Sequence, residues 1–358
     1  MKLLFIAPSV YPVRPDLRYG GIEKLCYMAA TAIAQKGHRV SVAAPDGSYL
    51  LHGVEHIPTG PTGDFVESER QALVRYRHRL REFDAILDYS HSHWSMMEQD
   101  LPSIAFIWHD PFIMKPQEPP YNIAALSSWQ AARFAAVYGY DARVLDPHCA
   151  PVGAIRPRTD RFLTIGRLTP SKGPLEAVAI CRELGVPLDV VGALGQGDDP
   201  LYQAAVVAAA SEGIRYHGEV DEGQKMELLE TCRALLYPIA YPPGQGEAHS
   251  HKTVDAQCAG APVVTYDVGA LSEVVEHGVT GFLAKHREEF KTYMGRVGEL
   301  HPDVIREKAA ARWSVEATAD RLLEVAQRVA KGERWGAFPA LVVTPVPTIA
   351  PSVVGFIR

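Results

Sequence analysis

The feature that most constrains this chain is a rhythm that runs twice. Short apolar runs alternate with amphipathic segments, first LLFIA (3–7), VSVAA (40–44), AILDY (85–89), IAFIW (104–108) and IAALSS (123–128). A second series follows: RFLTIG (161–166), PLDVVG (187–192), IRYHGEV (214–220), ALLYP (234–238), PVVTYD (262–267) and GFLA (281–284). Most of these runs are near-continuously apolar, as strands must be when both faces of their sheet are covered. Helical patterns lie between them, such as IEKLCYMAATAIAQKG (22–37), which closes on a glycine where a helix C-terminus favours one. Strand-helix alternation of this kind implies parallel sheets joined by right-handed crossovers. Two series predict an α/β protein of two Rossmann-like, doubly wound domains facing across a cleft. The break falls at DPHCAPVGAIRPRTD (146–160), where Pro147, Pro151, Gly153 and Pro157 interrupt regular structure.

The expected divisions are 1–153 and 154–314 for the two domains, 315–334 for a helix packing back on the first, and 335–358 for an extended tail. The tail carries four prolines among β-branched residues. It reads as packing on its own domain or as an arm onto a second copy, a homodimer contact. The N-terminal MKLLFIAPSV reads as a first strand rather than a signal peptide, because Pro8 cuts its apolar run short. No segment approaches the roughly 20 apolar residues of a membrane helix. A net charge of −6 without a long basic run argues against a dedicated nucleic-acid binder. The five cysteines are scattered and never in CxxC spacing, which favours buried thiols of a cytoplasmic protein.

In open parallel sheets, ligands bind at the carboxyl ends of strands, so chemistry belongs in the loops that follow them. After the first strand, Gly20 and Gly21 open a helix, where bare glycines let backbone N–H groups approach a ligand. A GxGxxG turn directly after the strand is absent, which removes the dinucleotide fingerprint of an oxidoreductase. In GRLTPSKG (166–173), Arg167 and Lys172 place two cations at a strand end, suited to a diphosphate. The backbone after IRYHGEV, around Gly218, Glu219 and Val220, could meet a flat base edge. In EAHSHKTVDAQCAG (247–260), a helix is expected from about Ser250 to Ala259, with its N-terminus toward phosphate. Glu247 and Asp255 lie eight residues apart, which suits two groups of one extended ligand better than an acid/base pair. His249 and His251 suggest metal ligands, but no third ligand stands close by in sequence. His91 and His93 read as an exposed turn, and His109 ends a buried strand at the cleft. The segment VESERQALVRYRHRLREF (66–83) reads as one helix with a basic face, either solvated or a candidate contact to an anionic membrane surface, making the protein peripheral there.

Taken together, these residues resemble glycosyltransferase family 4, the retaining nucleotide-sugar transferases of the GT-B fold, over roughly residues 1–330. GRLTPSKG is similar to that family's GRL-x-x-x-KG element. EAHSHKTVDAQCAGAPVVTYDVGALSEVVEHGVTGFLA is similar to its E-x7-E element and the run that follows. YGGIEKL, KGHRVSVAAP and WHD match its glycine-rich loop, its GH-V strand entry and its cleft histidine. The resemblance implies an acceptor-side first domain and a donor-binding second domain. It implies that Arg167 and Lys172 neutralise the departing diphosphate, that Glu247 and the backbone of His249, Ser250, His251 and Lys252 hold the transferred sugar or phosphate, and that Asp255 takes the ribose. Gly218, Glu219 and Val220 would frame the base. Gly20 and Gly21 would lie by the diphosphate, His109 near the reacting sugar, and Glu273 in a structural turn. The catalytic set would be His109, Glu247, Arg167 and Lys172. The expected activity is metal-independent hexosyl transfer from a UDP-sugar, with GDP-mannose next, to a hydroxyl of a sugar, lipid or small molecule; no cofactor is implied. A nucleotide-sugar epimerase of the same fold and a non-catalytic sugar-nucleotide-binding protein are the alternatives. Asp255 in place of the family's second Glu, and His249-Ser250 in place of its aromatic-glycine pair, mark where this chain departs.

Overall fold

The computed structural model describes residues 1–17, 20–64, 66–94, 100–108, 122–139, 141–195, 199–241 and 245–336. One sheet contains β1 (Lys2–Ile6), β2 (Arg39–Ala44), β3 (Glu55–Pro58), β4 (Ala85–Asp88), β5 (Ser103–Phe106), β6 (Ile123–Ala125) and β7 (Arg143–Val144). Its strand order is β3-β2-β1-β4-β5-β6-β7, all parallel. The other contains β8 (Phe162–Ile165), β9 (Leu188–Val191), β10 (Ile214–Tyr216), β11 (Leu235–Tyr237), β12 (Val263–Tyr266) and β13 (Gly281–Ala284). Its order is β10-β9-β8-β11-β12-β13, again parallel.

The helices are α1 (Gly21–Gln35), α2 (Glu67–Tyr76), α3 (Ser128–Tyr138), α4 (Pro174–Leu184), α5 (Pro200–Ala208), α6 (Glu222–Thr231), α7 (His251–Cys258), α8 (Leu271–Val274), α9 (Arg287–Arg296), α10 (Pro302–Trp313) and α11 (Val315–Ala330). In each sheet the winding reverses beside the central strand, between β1 and β4 and between β8 and β11. Such a switch point opens a crevice at the strand ends. The loops after β1, β8 and β11 are the ones that carry the glycines, the two cations and Glu247.

All six strands of the second series are present, whereas the first sheet adds β3 and β7 to the five expected. Both are edge strands, four and two residues long, with half-exposed or charged positions. Edge strands need no apolar run on both faces, so they leave little trace in the sequence.

The single helix expected over 66–83 also divides. α2 ends at Tyr76 and a tighter 3-10 helix, Arg77–Glu82, continues it. The change of pitch lets Tyr76, Leu80 and Phe83 all turn toward Leu4 and Ile86 in the core. Two basic residues of this segment are paired with acids: Arg70 with Glu67 at 2.6 Å, and Arg79 with Glu55 at 2.8 Å.

The first-domain core closes with the chain's last helix. Ala319, Leu322, Leu323, Ala326 and Val329 of α11 pack with Leu25, Ile33 and Leu87. The chain therefore crosses between the domains twice, and the crossings lie side by side: Ala150 N–H donates to Trp313 O at 2.9 Å. Of the tail, Trp335 and Gly336 are described. Trp335 is buried and its indole donates to Ile123 O at 2.7 Å. An arm onto a second copy from the remaining tail lies outside the described residues.

Candidate functional site

Two adjoining cavities, about 630 and 460 Å³, fill the cleft between the domains. Gly21, Ile22, Arg167, His251 and Lys252 line both, so they form the junction. Glu247 lies in the larger cavity and Asp255 in the smaller.

Glu247 is held by converging donors. Its Oε2 accepts from Lys172 Nζ at 2.6 Å, Tyr241 OH at 2.8 Å and Tyr237 OH at 3.1 Å. Burial opposes its charge, but Lys172 and Lys252 outweigh that and hold its pKa below the usual carboxylate value. Burial likewise opposes the charge on Lys172, yet Tyr237 and the Glu247 carboxylate raise its pKa. Lys172 is therefore committed to Glu247 rather than standing as a separate cation beside Arg167. Glycines allow the loop to come this close. Gly269 has φ +65°, and a Cβ there would lie 2.4 Å from Glu247 O.

α7 begins at the junction. Ser250 caps it, its hydroxyl accepting from Thr253 N–H at 3.4 Å. Lys252, in its first turn, reaches across Gly166, where a Cβ would meet Nζ at 2.5 Å. Its ammonium lies over the Tyr237 ring, 5.1 Å from the centroid. Burial and the nearby Lys172 push its pKa down to about 7. Neither Arg167 nor Lys252 forms a salt bridge with an acid among the described residues.

In the smaller cavity, Asp255 pairs with Lys225 at 2.7 Å, Lys225 with Glu222 at 2.5 Å, and Glu222 with Lys24 at 2.8 Å. This chain of alternating charge spans the cleft from α7 to α1. Glu219 and Val220 line the same cavity with Gly20 and His91. Gly218, at φ +69°, makes the turn that delivers Glu219 and Val220. On the opposite side, Glu273 of α8 accepts the N–H groups of Ser128 and Trp129 at 2.7 Å each, capping α3 of the first domain.

The described site residues expected from the sequence line one or both cavities, except Gly218, which lies in the turn before Glu219; His109 lies outside the described residues. His93 departs from the exposed turn expected for it, since it is buried beside Asp88. Other residues at these cavities were not singled out in the sequence: Tyr237, Tyr241 and Lys225 belong to no motif, and Asp146 and His148 fall within the interdomain break. In fact His148 lines the larger cavity with Trp108 and His249.

The third acid or histidine missing from the local sequence around His249 is supplied by the fold. Ligand atoms of Asp146, His148 and His249 lie within 4.8 Å of one another. Asp146 is 2.7 Å from His148 Nδ1 and 2.9 Å from His249 Nε2. The two rings stack at 3.6 Å and 18°. Near-parallel rings aim their lone pairs side by side, whereas ligands of one ion must converge on it. Asp146 hydrogen-bonds the His148 imidazole, and His249 stacks on that ring with neither of its own nitrogens hydrogen-bonded among the described residues.

Comparison with known proteins bears on the fold and on the second domain. The family described as "Glycosyl transferases group 1" matches residues 151–313. A glycogen synthase of Mycobacterium tuberculosis is 29% identical over 179 residues, covering 48% of this chain and 41% of that protein. A phosphatidyl-myo-inositol mannosyltransferase of Mycobacterium leprae is 24% identical over 387 aligned positions, covering 92% and 97%. The crystal structure of Anabaena Alr3699/HepE in complex with UDP and glucose superposes with a TM-score of 0.67 at 16% identity, covering 92% of this chain and 100% of that one. The chain spans less than half the length of the glycogen synthase it matches. It is a GT-B-fold protein whose second half, residues 151–313, matches the glycosyl transferases of group 1.

Proposed function

We propose that this chain is a hexosyltransferase of glycosyltransferase family 4, moving a hexose from a nucleotide diphosphate sugar to a hydroxyl acceptor with retention and without a metal. The observation that carries this reading is the junction between the cavities. Arg167 and Lys252 stand there without a salt-bridged carboxylate among the described residues, at the start of α7, with Glu247 on one side and Asp255 on the other. Uncompensated cations in a cleft call for an anion, and acids on either side suit hydroxyl-bearing groups flanking it. A diphosphate between a sugar and a ribose has that form. The glycogen synthase and mannosyltransferase relatives, and the protein of this fold solved with UDP and glucose, support the same donor class.

The chemistry follows from where charge develops. As the bond from the anomeric carbon to the diphosphate oxygen breaks, the sugar becomes oxocarbenium-like and negative charge grows on the phosphate. Arg167, Lys252 and the α7 N-terminus lie where that charge appears, and such preorganised stabilisation is the main electrostatic contribution to catalysis. The acceptor oxygen attacks from the same face, and its proton passes to the leaving phosphate, so no protein base is needed. Glu247 holds the hexose hydroxyls and Asp255 the ribose. UDP is the favoured nucleotide, with GDP-mannose next.

The deciding experiment measures nucleotide release from UDP-, GDP- and ADP-hexoses with a hydroxyl acceptor mixture, with and without EDTA. Release that survives EDTA and is lost in Glu247→Ala supports the proposal. Failure of every donor to turn over would remove the enzyme reading and leave a sugar-nucleotide binder. Loss on chelation would overturn metal independence, and an inverted anomer in the product would overturn retention.

A further inference from the structure

The Asp146–His148–His249 unit has no part in the mechanism above, yet two of its members line the larger cavity. Its members come from separate segments. Asp146 and His148 lie on the first crossing between domains, His249 on the loop before α7, and Trp313 at the end of α10. All are buried, and His148 and His249 line the larger cavity beside Glu247. Asp146 Oδ1 accepts from His148 N–H at 2.9 Å and from His148 Nδ1 at 2.7 Å. Its Oδ2 accepts from Trp313 Nε1 at 2.7 Å and lies 2.9 Å from His249 Nε2.

This arrangement selects one tautomer. A carboxylate can only accept, so the Nδ1 of His148 must carry the proton, which leaves Nε2 as a lone-pair acceptor. Burial and the neighbouring His249 push the His148 pKa down to about 3, so the ring is neutral at physiological pH. Nε2 has no hydrogen-bond partner among the described residues. The same cavity is lined by the cations Arg167, Lys172 and Lys252 and by the acceptor Glu247, whose three hydrogen bonds all fall on Oε2. A neutral His148 Nε2 adds a second, uncharged acceptor to that lining.

We propose that His148 reads one hydroxyl of the sugar in the Glu247 cavity as a neutral acceptor, and that Asp146 is the positioning residue that fixes its tautomer. This rests on the sugar-nucleotide reading of the cleft and adds a specificity determinant to it. A buried acceptor built for a hydroxyl rejects an analogue lacking that hydroxyl, because the acceptor is then left unpaired. The roughly 1–3 kcal/mol cost of such an orphan corresponds to about 5- to 150-fold in kcat/KM.

The test compares kcat/KM for whichever of UDP-glucose or GDP-mannose the enzyme uses with each of its monodeoxy analogues. Wild type should discriminate strongly at one position. His148→Phe should lose that discrimination while product inhibition by the nucleoside diphosphate stays within about twofold, which also shows the variant is folded. Asp146→Asn can offer its amide N–H to Nδ1 and so reverse the tautomer, and it should lose the same discrimination. Equal losses on every analogue, with the selectivity ratios unchanged, overturn the proposal. A second measurement needs neither turnover nor variants: nitrogen-15 shifts of the His148 ring in labelled wild type should show a protonated Nδ1 and a bare Nε2. A protonated Nε2 overturns this inference and leaves the transferase reading untouched, whereas wild type without turnover on any donor sinks that reading alone.

Discussion

At the scale of single residues, the site is a problem of compensating buried charge. Lys172 and Glu247 neutralise each other, and Lys225 and Asp255 do the same. Lys252 has no such partner among the described residues, and burial and the nearby Lys172 drive its pKa down to about 7. The sign of its pH effect follows directly. An anionic ligand raises that pKa, so binding takes up a proton and is tightest at low pH. Affinity for UDP should therefore weaken as pH rises above about 7, by at most about tenfold per pH unit. Lys252→Met should flatten this dependence, read as the loss of proton uptake by calorimetry in buffers of differing ionisation enthalpy. An unchanged uptake would assign the proton to another group. Glu247→Gln keeps an acceptor for Tyr241 but leaves Lys172 without its anion. It should lower kcat by about 100-fold or more while UDP affinity changes little. A variant with near wild-type kcat would move the sugar contact elsewhere.

At the scale of elements, the glycines and the cap of α7 set the position of Glu247. Gly269→Ala forces a side chain into a left-handed backbone and against Glu247 O. A cost of about 1–3 kcal/mol in stability is expected, with turnover reduced at least tenfold if the Glu247 loop is displaced. Denaturant unfolding and steady-state kinetics measure the two effects. Ser250→Ala removes the cap and should cost about 1 kcal/mol. The E-x7-E spacing, GRLTPSKG and the helix from Ser250 were legible because they lie within short windows where capping and periodicity act. The division of 66–83 at Tyr76 was not, since a change of pitch is chosen by what the helix packs against. β3 and β7 escaped for the related reason that edge strands carry a weak apolar pattern.

At the scale of the whole molecule, the domains meet through a few polar ties around the cavities and through the paired crossings. Lys24–Glu222 ties the domains beside the Asp255 cavity, and Glu273 caps α3 on the opposite side. Replacing both, as Lys24→Met with Glu273→Ala, should loosen the cleft. The expected result is a larger radius of gyration by solution X-ray scattering, partly reversed by UDP. An unchanged radius would locate the restraint at the crossings instead. Deleting α11 would uncover Leu25, Ile33 and Leu87 and should unfold the first domain. Among the described residues, no helix is long and apolar enough to cross a membrane.

Two doubly wound domains and the helix that follows Glu247 were readable in the sequence alone, because strand and helix periodicity and capping act over about ten neighbouring residues. The sequence could not say which side chain answers which. Lys172 meets Glu247 across 75 positions, and Asp146 meets Trp313 across 167. Those meetings depend on the strand order around each switch point and on the return of α10 and α11 beside the first crossing. His249 shows the difference most clearly. Its neighbourhood in sequence suggested a metal ligand without companions, and the fold placed it in a stack with His148, beside the Asp146 carboxylate that holds His148.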